Sequence, residues 1–404
     1  MQMNYKDIEF LNVTEAWSDE RFRALATMPP FSDEVIAYLD ALSRELNNHP
    51  RLRRFPDVAS LAFYCRKANL LQLKDGYGKA SEMSLGRGVV FHIAPSNVPV
   101  NFAYSLLVGL LSGNANIVRA PTKEFEQVSI IVDAIRSLSA RGNHPLISER
   151  IIIVRYDRQS QATHYFSSLC DVRVIWGGDE TIKRVRESVL PPRSFDIAFA
   201  DRYSICVINA DAFVHEDAPE RIATGFYNDT YLSDQNACTS PHLVVWIGEE
   251  ANVSKAQSVF WKALHRLVKE RYRLPPVLAM DKLVGFCKQA IRLKDIERVK
   301  AEDNLIWRVH VADLPPDIDA FRCKAGYFSE YHAADIAALS KIINRKYQTL
   351  AYYGLSKQDL EAFFNQEKPC GIDRMVPIGS TMDFSLVWDG HDLIRMLSRA
   401  CTVS

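Results

Sequence analysis

The sequence predicts an α/β protein whose first half forms a parallel, doubly wound sheet and whose second half forms a further α/β region. From residue 86 onward, short apolar runs bounded by Gly, Pro and Asn alternate with helical apolar stripes, the pattern of repeated strand-helix-strand units. The thirty-one residues from 88 to 118 contain no Asp, Glu, Lys or Arg, yet Pro95, Asn97, Pro99 and Asn101 interrupt them. Such a stretch reads as buried strand, loop and core helix, because a membrane span broken in this way would leave amides unpaired in lipid. A chain of 404 residues with 48% apolar content has core enough for two or three domains.

Residues 1–85 are charged and helical in pattern. After the capping candidate Ser32, one apolar stripe is formed by Val35, Tyr38, Leu39, Leu42 and Leu46. A strand is expected at 89–93 and a turn at 94–98, with Pro99 opening a helix that runs to Leu111. The second strand is 116–119, and Val128, Ile131, Val132, Ile135 and Leu138 stripe the helix after it. A third strand is expected at 151–154 and a helix at 161–169. A fourth strand follows at 172–176, where Gly177-Gly178 turns into another helix near Asp179. Around residue 203 a second region begins, with strands at 205–208 and 243–247, a polar loop at 233–241 and an amphipathic helix at 255–270.

Composition narrows the function classes. Lys plus Arg and Asp plus Glu both total 49, so no basic excess argues for nucleic acid and no like-charge block suggests a tail. A small-molecule partner is expected. The first ten residues include Lys6, Asp7 and Glu9, no apolar run follows, and a cytoplasmic protein without a membrane span is expected. The eight cysteines form no CxxC pair and join no carboxylate or histidine cluster, so no metal is expected. Cys170 and Cys206 adjoin or interrupt apolar runs and read as small hydrophobes. Cys238 differs, because it sits among polar and small residues, Ser233-Asp234-Gln235-Asn236-Ala237-Cys238-Thr239-Ser240, just before a strand.

Common nucleotide and nucleophile fingerprints are absent: no GxGxxG follows a strand, and neither GxxxxGK[ST] nor GxSxG occurs. Gly177-Gly178 reads either as amides offered to a pyrophosphate at a helix N-terminus or as a simple turn capped by Asp179. Arg119, with Thr122 and Lys123 close behind it, suits a nucleotide phosphate; the alternative is a surface arginine. Asn97 falls where a strand ends, and in open α/β sheets ligands sit at that end. His92 reads as a satisfied core histidine, and His242 as a strand-end packing residue rather than a base for Cys238.

Together these segments carry a resemblance. Ala94-Pro95-Ser96-Asn97-Val98-Pro99 resembles the PWNFP motif of the aldehyde dehydrogenase superfamily, and Gly113-Asn114-Ala115-Asn116-Ile117-Val118-Arg119 resembles its GNxVVLK strand. Gly177-Gly178 is similar to the following Gly-Ser turn, and Gln235-Asn236-Ala237-Cys238 to the catalytic-cysteine segment. Within the superfamily, Asp234 to Pro241, the tail Gly371-Ile372-Asp373-Arg374-Met375-Val376-Pro377-Ile378-Gly379 and Trp388-Asp389-Gly390 resemble the LuxC-type acyl-CoA reductases, the fatty acid reductase component of bacterial luminescence. The resemblance covers residues 85–400. It implies an aldehyde-dehydrogenase-like fold with a Rossmann-type cofactor domain. On that basis 1–85 is the lead-in to the cofactor domain, 86–202 binds NADP, 203–370 is catalytic, and 371–404 returns to the active site and to oligomer contacts.

The resemblance also implies a mechanism. Cys238 as thiolate attacks an acyl thioester, the Asn97 amide and the Cys238 N–H hold the oxyanion at roughly 2.7 to 4 kcal/mol per donor, and hydride transfer yields an aldehyde. Pro95, Ser96, Arg119, Thr122, Gly177 and Gly178 would bind the cofactor. Where hydrolytic relatives carry a water-activating Glu, this chain reads Ala198-Phe199-Ala200-Asp201-Arg202, so the acyl-enzyme is expected to survive until reduced. Thr122, flanked by Arg119 and Lys123, stands where NAD-preferring relatives place an acid, so NADPH is expected over NADH. The expected partner is an acyl-CoA or related acyl thioester, in a homodimer or homotetramer. Reduction of an acyl phosphate or carrier-protein thioester, and a non-catalytic scaffold, are the alternatives.

Overall fold

The structure, a computed structural model, describes residues 7–13, 18–78, 83–95 and 98–403. The chain divides into two units, residues 1–200 with 386–404, and residues 201–385.

The first unit is built on a six-stranded sheet. Its spatial order is Glu9–Phe10, Ile151–Arg155, Ala115–Arg119, Val89–Ile93, Val172–Trp176 and Phe195–Phe199. All neighbours are parallel except the Glu9–Phe10 edge, which runs antiparallel to Ile151–Arg155. The chain winds outward from Val89–Ile93 through the next two strands, then returns to the other side of that strand. The switch point therefore lies between Val89–Ile93 and Val172–Trp176, where doubly wound sheets open a crevice at the carboxyl ends. Both of these strands are buried along their whole length, which is why each reads as an unbroken apolar run. The doubly wound architecture expected from the sequence is the one observed.

The helix expected from Pro99 begins two residues later, at Asn101–Leu111, because residues 98–101 first close a turn with Asn101 N–H donating to Val98 O at 3.2 Å. This helix presses on the sheet through Gly109, where a Cβ would stand 1.9 Å from Asn116 Oδ1 and 2.8 Å from His92 Nε2. Beneath it runs a buried polar chain. Asn116 Nδ2 donates to Asn114 O at 2.9 Å, leaving Asn116 Oδ1 to accept from His92 Nε2 at 3.0 Å. His92 Nδ1 thus accepts from Ser105 Oγ at 2.7 Å, and Ser105 in turn accepts from Trp176 Nε1 at 3.0 Å. Burial pushes His92 down to about 4, so it is a neutral, fully paired core group.

The second unit carries a seven-stranded sheet in the order Ile296–Arg298, Trp307–Val311, Tyr327–Ala333, Pro241–Ile247, Tyr203–Asn209, Tyr347–Tyr353 and Arg374–Pro377. Only the Ile296–Arg298 edge is antiparallel. Helices Pro219–Thr230 and Glu250–Arg271 cover one face through Phe226, Phe260 and Trp261, while Ile318, Leu339, Ile342 and Phe363 fill the other. Buried Glu330 accepts from Trp246 Nε1 at 2.9 Å, Trp261 Nε1 at 2.7 Å and Arg308 Nε at 2.7 Å, so a charge in the core is satisfied on several sides.

Residues 371–404 do not form a single piece. Arg374–Pro377 is the last strand of the second sheet, whereas 386–404 belongs to the first unit, where Ser398–Ala400 pairs antiparallel with Ser84–Gly86. Among the described residues, no helix is long and apolar enough to cross a membrane.

Candidate active site

Cys238 stands at the end of a loop whose backbone is held in an unusual shape. Asp234 and Gln235 both adopt left-handed conformations, φ 51° and 58°, which non-glycine residues enter at a cost of about 1 kcal/mol or more each. What compensates is the Gln235 side chain. Its Nε2 donates to Pro241 O at 2.8 Å and Tyr327 O at 3.0 Å, and its Oε1 accepts from Gly326 N–H at 2.9 Å and Tyr327 N–H at 3.1 Å. The amide is buried, and both of its ends are matched to the sheet strand that starts at Tyr327. Tyr272 Oη donates to Asp234 Oδ1 at 2.5 Å, and Asn236 N–H donates to Ser233 O at 2.9 Å.

Beyond the clasp, Cys238 is half-buried and in no disulfide, and its carbonyl accepts from Ser204 Oγ at 2.6 Å. Ser204 is itself oriented by Thr349 N–H at 3.2 Å. The peptide leaving the cysteine is thus fixed from the centre of the sheet.

The tail motif closes beside this loop. Asp229, fully buried near the end of Pro219–Thr230, accepts from Gly379 N–H at 2.6 Å and Thr381 N–H at 3.1 Å. Burial nevertheless pushes its carboxyl up to about 6. Arg374 collects three carbonyls of the same segment: Thr381 O at 2.9 Å, Ser380 O at 3.0 Å and Asp383 O at 2.6 Å. Thr239 Oγ1, one residue past the cysteine, donates to Met382 Sδ at 3.3 Å. The close approach needs Gly225, where a Cβ would lie 3.0 Å from Ile378 O and 3.1 Å from Gly379 Cα.

Two titratable groups of the motif segments, His242 and Asp201, have other engagements. His242 is buried, stacked on Tyr203 at 5.6 Å, and pushed down to about 3 by burial and then by the Arg322 charge. Asp201 pairs with Arg322 at 2.6 Å and lies 4.0 Å from Lys346. Among the described residues, no group of three His, Cys, Asp or Glu is placed to hold a metal ion.

In the first unit, a cleft of about 520 Å³ opens at the carboxyl ends of Ala115–Arg119 and Ile151–Arg155, lined by Thr122, Lys123, Asp157, Arg158, Gln159 and Arg184. Three cations against one carboxylate make it a fit for an anionic nucleotide. The sequence reading singled out Thr122 and noted Lys123 beside it, but missed Arg158 and Arg184, which reach the cleft from a loop and a helix far apart in the chain. Arg119 does not line the cleft; its guanidinium lies 4.8 Å over the Tyr156 ring and donates to Tyr156 O at 3.2 Å. Gly177 and Gly178 form the turn into Asp179–Arg186, Gly178 as the capping residue with open space where a Cβ would stand. Pro95 is half-buried after Val89–Ile93, and Ser96 and Asn97 lie outside the described residues.

Comparison with known proteins is consistent across sequence and fold. The family model described as acyl-CoA reductase (LuxC) matches residues 10–400. A long-chain acyl-protein thioester reductase of Vibrio harveyi is 24% identical over 386 residues, 90% of this chain and 76% of that protein. The protein of the same name from Aliivibrio fischeri is 28% identical over 165 residues, 40% of this chain and only 33% of that protein. Among solved structures, an aldehyde dehydrogenase from Physcomitrella patens superposes with a TM-score of 0.67 at 11% identity, covering 94% of this chain and 87% of the other. That likeness establishes the fold.

Proposed function

The chain belongs to the LuxC acyl-CoA reductase family, and on that premise we propose that it reduces an acyl thioester to an aldehyde with NADPH, through an acyl group carried on Cys238. The observation that carries the proposal is the half-buried Cys238 thiol at the end of a loop clasped by Gln235, its carbonyl pinned by Ser204. Such anchoring limits how far the sulfur can wander from a bound carbonyl, and proximity of this kind is a large part of a nucleophile's effectiveness.

In the proposed sequence the Cys238 thiolate adds to the thioester carbonyl, and the carrier sulfur departs as a thiolate that takes up a proton. The Cys238 N–H and, by the family resemblance, the Asn97 amide hold the oxyanion. NADPH, when bound, supplies a hydride to the acyl carbon. Collapse of the resulting thiohemiacetal releases the aldehyde and returns the Cys238 thiolate. Asp201 is occupied by Arg322 and Lys346, which supports reduction over hydrolysis because water activation would require an unengaged base.

Lys123, Arg158 and Arg184, with Thr122, are proposed to take the phosphate-bearing adenosine end of the cofactor, and Gly177-Gly178 and Pro95-Ser96 its remaining length. Arg119 is proposed to support the site by packing on Tyr156. The acyl donor is proposed to be a long-chain thioester carried by CoA or by a protein. Relatives in Aliivibrio fischeri and Vibrio harveyi are named as acting on acyl-protein thioesters, which favours the protein-borne donor as the second reading. A cytoplasmic site of action belongs to the same proposal.

The test is NADPH consumption by the purified protein with acyl-CoAs of graded length and with an acylated thiol protein, Cys238→Ala in parallel. Aldehyde formed in proportion to NADPH and abolished in the variant supports the proposal. Consumption that survives the substitution, or none with any thioester, refutes it.

A further inference from the structure

The helix Pro276–Arg292 leaves most of its large apolar side chains in solvent. Its fully buried side chains are Lys282 and Gln289, two turns apart and each 0% exposed, while Val277 is 64% exposed, Met280 59%, Leu283 44%, Val284 47% and Ile291 85%. The inward face sets Leu278 and Phe286, which pack on the core, beside two buried polar side chains that are both satisfied. Lys282 Nζ donates to Asn304 O at 2.6 Å and Leu305 O at 3.2 Å; Gln289 donates to Ser329 Oγ at 3.2 Å and accepts from Tyr327 Oη at 2.6 Å. This register is therefore specified by those four hydrogen bonds together with the packing of Leu278 and Phe286.

The outward face has order. Val277, Met280, Val284, Cys287 and Ile291 recur at alternating spacings of three and four, the seam of a coiled coil, and Leu283 and Ala290 widen it on one flank. The other flank carries Asp281 and Lys288, both exposed and, among the described residues, without an ion-pair partner.

We propose that this face is the contact between two copies of the chain, the helices crossing antiparallel about a two-fold axis between Val284 and Gly285. Antiparallel pairing sets like flanks against each other, so Asp281 of each copy meets Lys288 of the other, and the Leu283–Ala290 flanks meet as an apolar strip. Parallel pairing would set Leu283 against Lys288 and pair no charges, so the charge pattern selects the two-fold arrangement. A self-complementary surface of this kind closes on itself as a dimer rather than extending into a filament. One helix pair lies at the small end of stable interfaces, so the association is concentration dependent.

Sedimentation velocity over a broad concentration range tests this with four variants: Val284→Glu, Asp281→Lys, Lys288→Asp and the double exchange Asp281→Lys/Lys288→Asp. The wild type is expected to double its mass on concentration. Val284→Glu and each single charge change are expected to weaken association at least tenfold, and the double exchange to restore it, all with unchanged thermal melting since every site is exposed. A wild type that stays monomeric throughout, an assembly indifferent to Val284→Glu, or a double exchange no better than its singles overturns the proposal. Assembly through another surface appears as the second of these outcomes, and a different protein as the natural partner appears as the first.

Discussion

Replacing Gln235 with Leu removes the clasp while keeping bulk in the site. Four backbone groups lose their partner: the carbonyls of Pro241 and Tyr327 and the amides of Gly326 and Tyr327. An unsatisfied buried group costs roughly 1 to 3 kcal/mol, so even the low end gives about 4 kcal/mol, a large share of a domain's stability. The left-handed pair Asp234–Gln235 loses its compensation at the same time. Urea unfolding followed by the fluorescence of Trp246, Trp261 and Trp307, all in the second unit, is expected to show the midpoint falling accordingly. Alkylation of Cys238, read by peptide mass spectrometry so that Cys287, Cys370 and Cys401 are separated from it, is expected to change rate in native buffer. Gln235→Glu is expected to be no milder, because it replaces the amide donors to Pro241 O and Tyr327 O with a carboxylate oxygen that faces those two carbonyl oxygens. Should Gln235→Leu unfold within about 1 kcal/mol of wild type and leave the Cys238 alkylation rate unchanged, the clasp is not what holds the Cys238 loop.

Three further outcomes follow from the same reasoning. Asp229 keeps its proton to about pH 6 when folded, against 3.8 as the ordinary value. Folding therefore takes up a proton between those limits, and stability contributed by this group falls as pH rises through them, by on the order of 1 kcal/mol from pH 5 to pH 7; the wild type minus Asp229→Asn difference should carry that slope, and a flat difference would remove Asp229 as its source. Gly109→Ala gains about 1 kcal/mol in helix propensity but drives a Cβ into the His92–Asn116 hydrogen bond, so a net loss of roughly 2 kcal/mol or more is expected in urea, and net stabilisation would mean the helix yields freely. Lys123→Ala and Arg184→Ala are expected to raise the KM for NADPH about tenfold while leaving that for NADH within about twofold, since each removes a charge from the cleft; equal loss for both cofactors would place the extra phosphate elsewhere.

How much was legible in the sequence depended on whether a signal was local. Val89–Ile93 and Val172–Trp176 are buried on both faces and announce themselves as apolar runs, and the Cys238 loop stands out by its polar, small-residue composition. Trp307–Val311 alternates apolar and polar residues as a half-buried strand does, but Arg308 and His310 within it and Glu330 within Tyr327–Ala333 gave no hint of a shared buried site. Those residues satisfy one another only once Trp246 and Trp261 arrive from elsewhere in the chain. The same limit hid Arg184 and Arg158, which share a cleft although a helix supplies one and a loop the other. Gln235 was quoted in a motif, but nothing near it foretold that its partners would be Gly326 and Tyr327. On Pro276–Arg292, periodicity announces a helix without saying which face turns inward; distant partners such as Asn304, Leu305, Tyr327 and Ser329 decide that.

The discontinuity of the first unit bears on how the protein is made. Residues 201–385 are contiguous and can complete their fold as soon as they leave the ribosome, whereas the first unit waits for residues 386–403 to follow them. Until then the Ser84–Gly86 edge has no Ser398–Ala400 strand, Asn114 Nδ2 lacks the Leu397 carbonyl that it reaches at 2.9 Å, and Arg87 lacks Met396 O at 2.6 Å. A nascent chain stalled between residues 385 and 396 would thus carry an unfinished first sheet together with a finished second unit, a species open to chaperones and proteases.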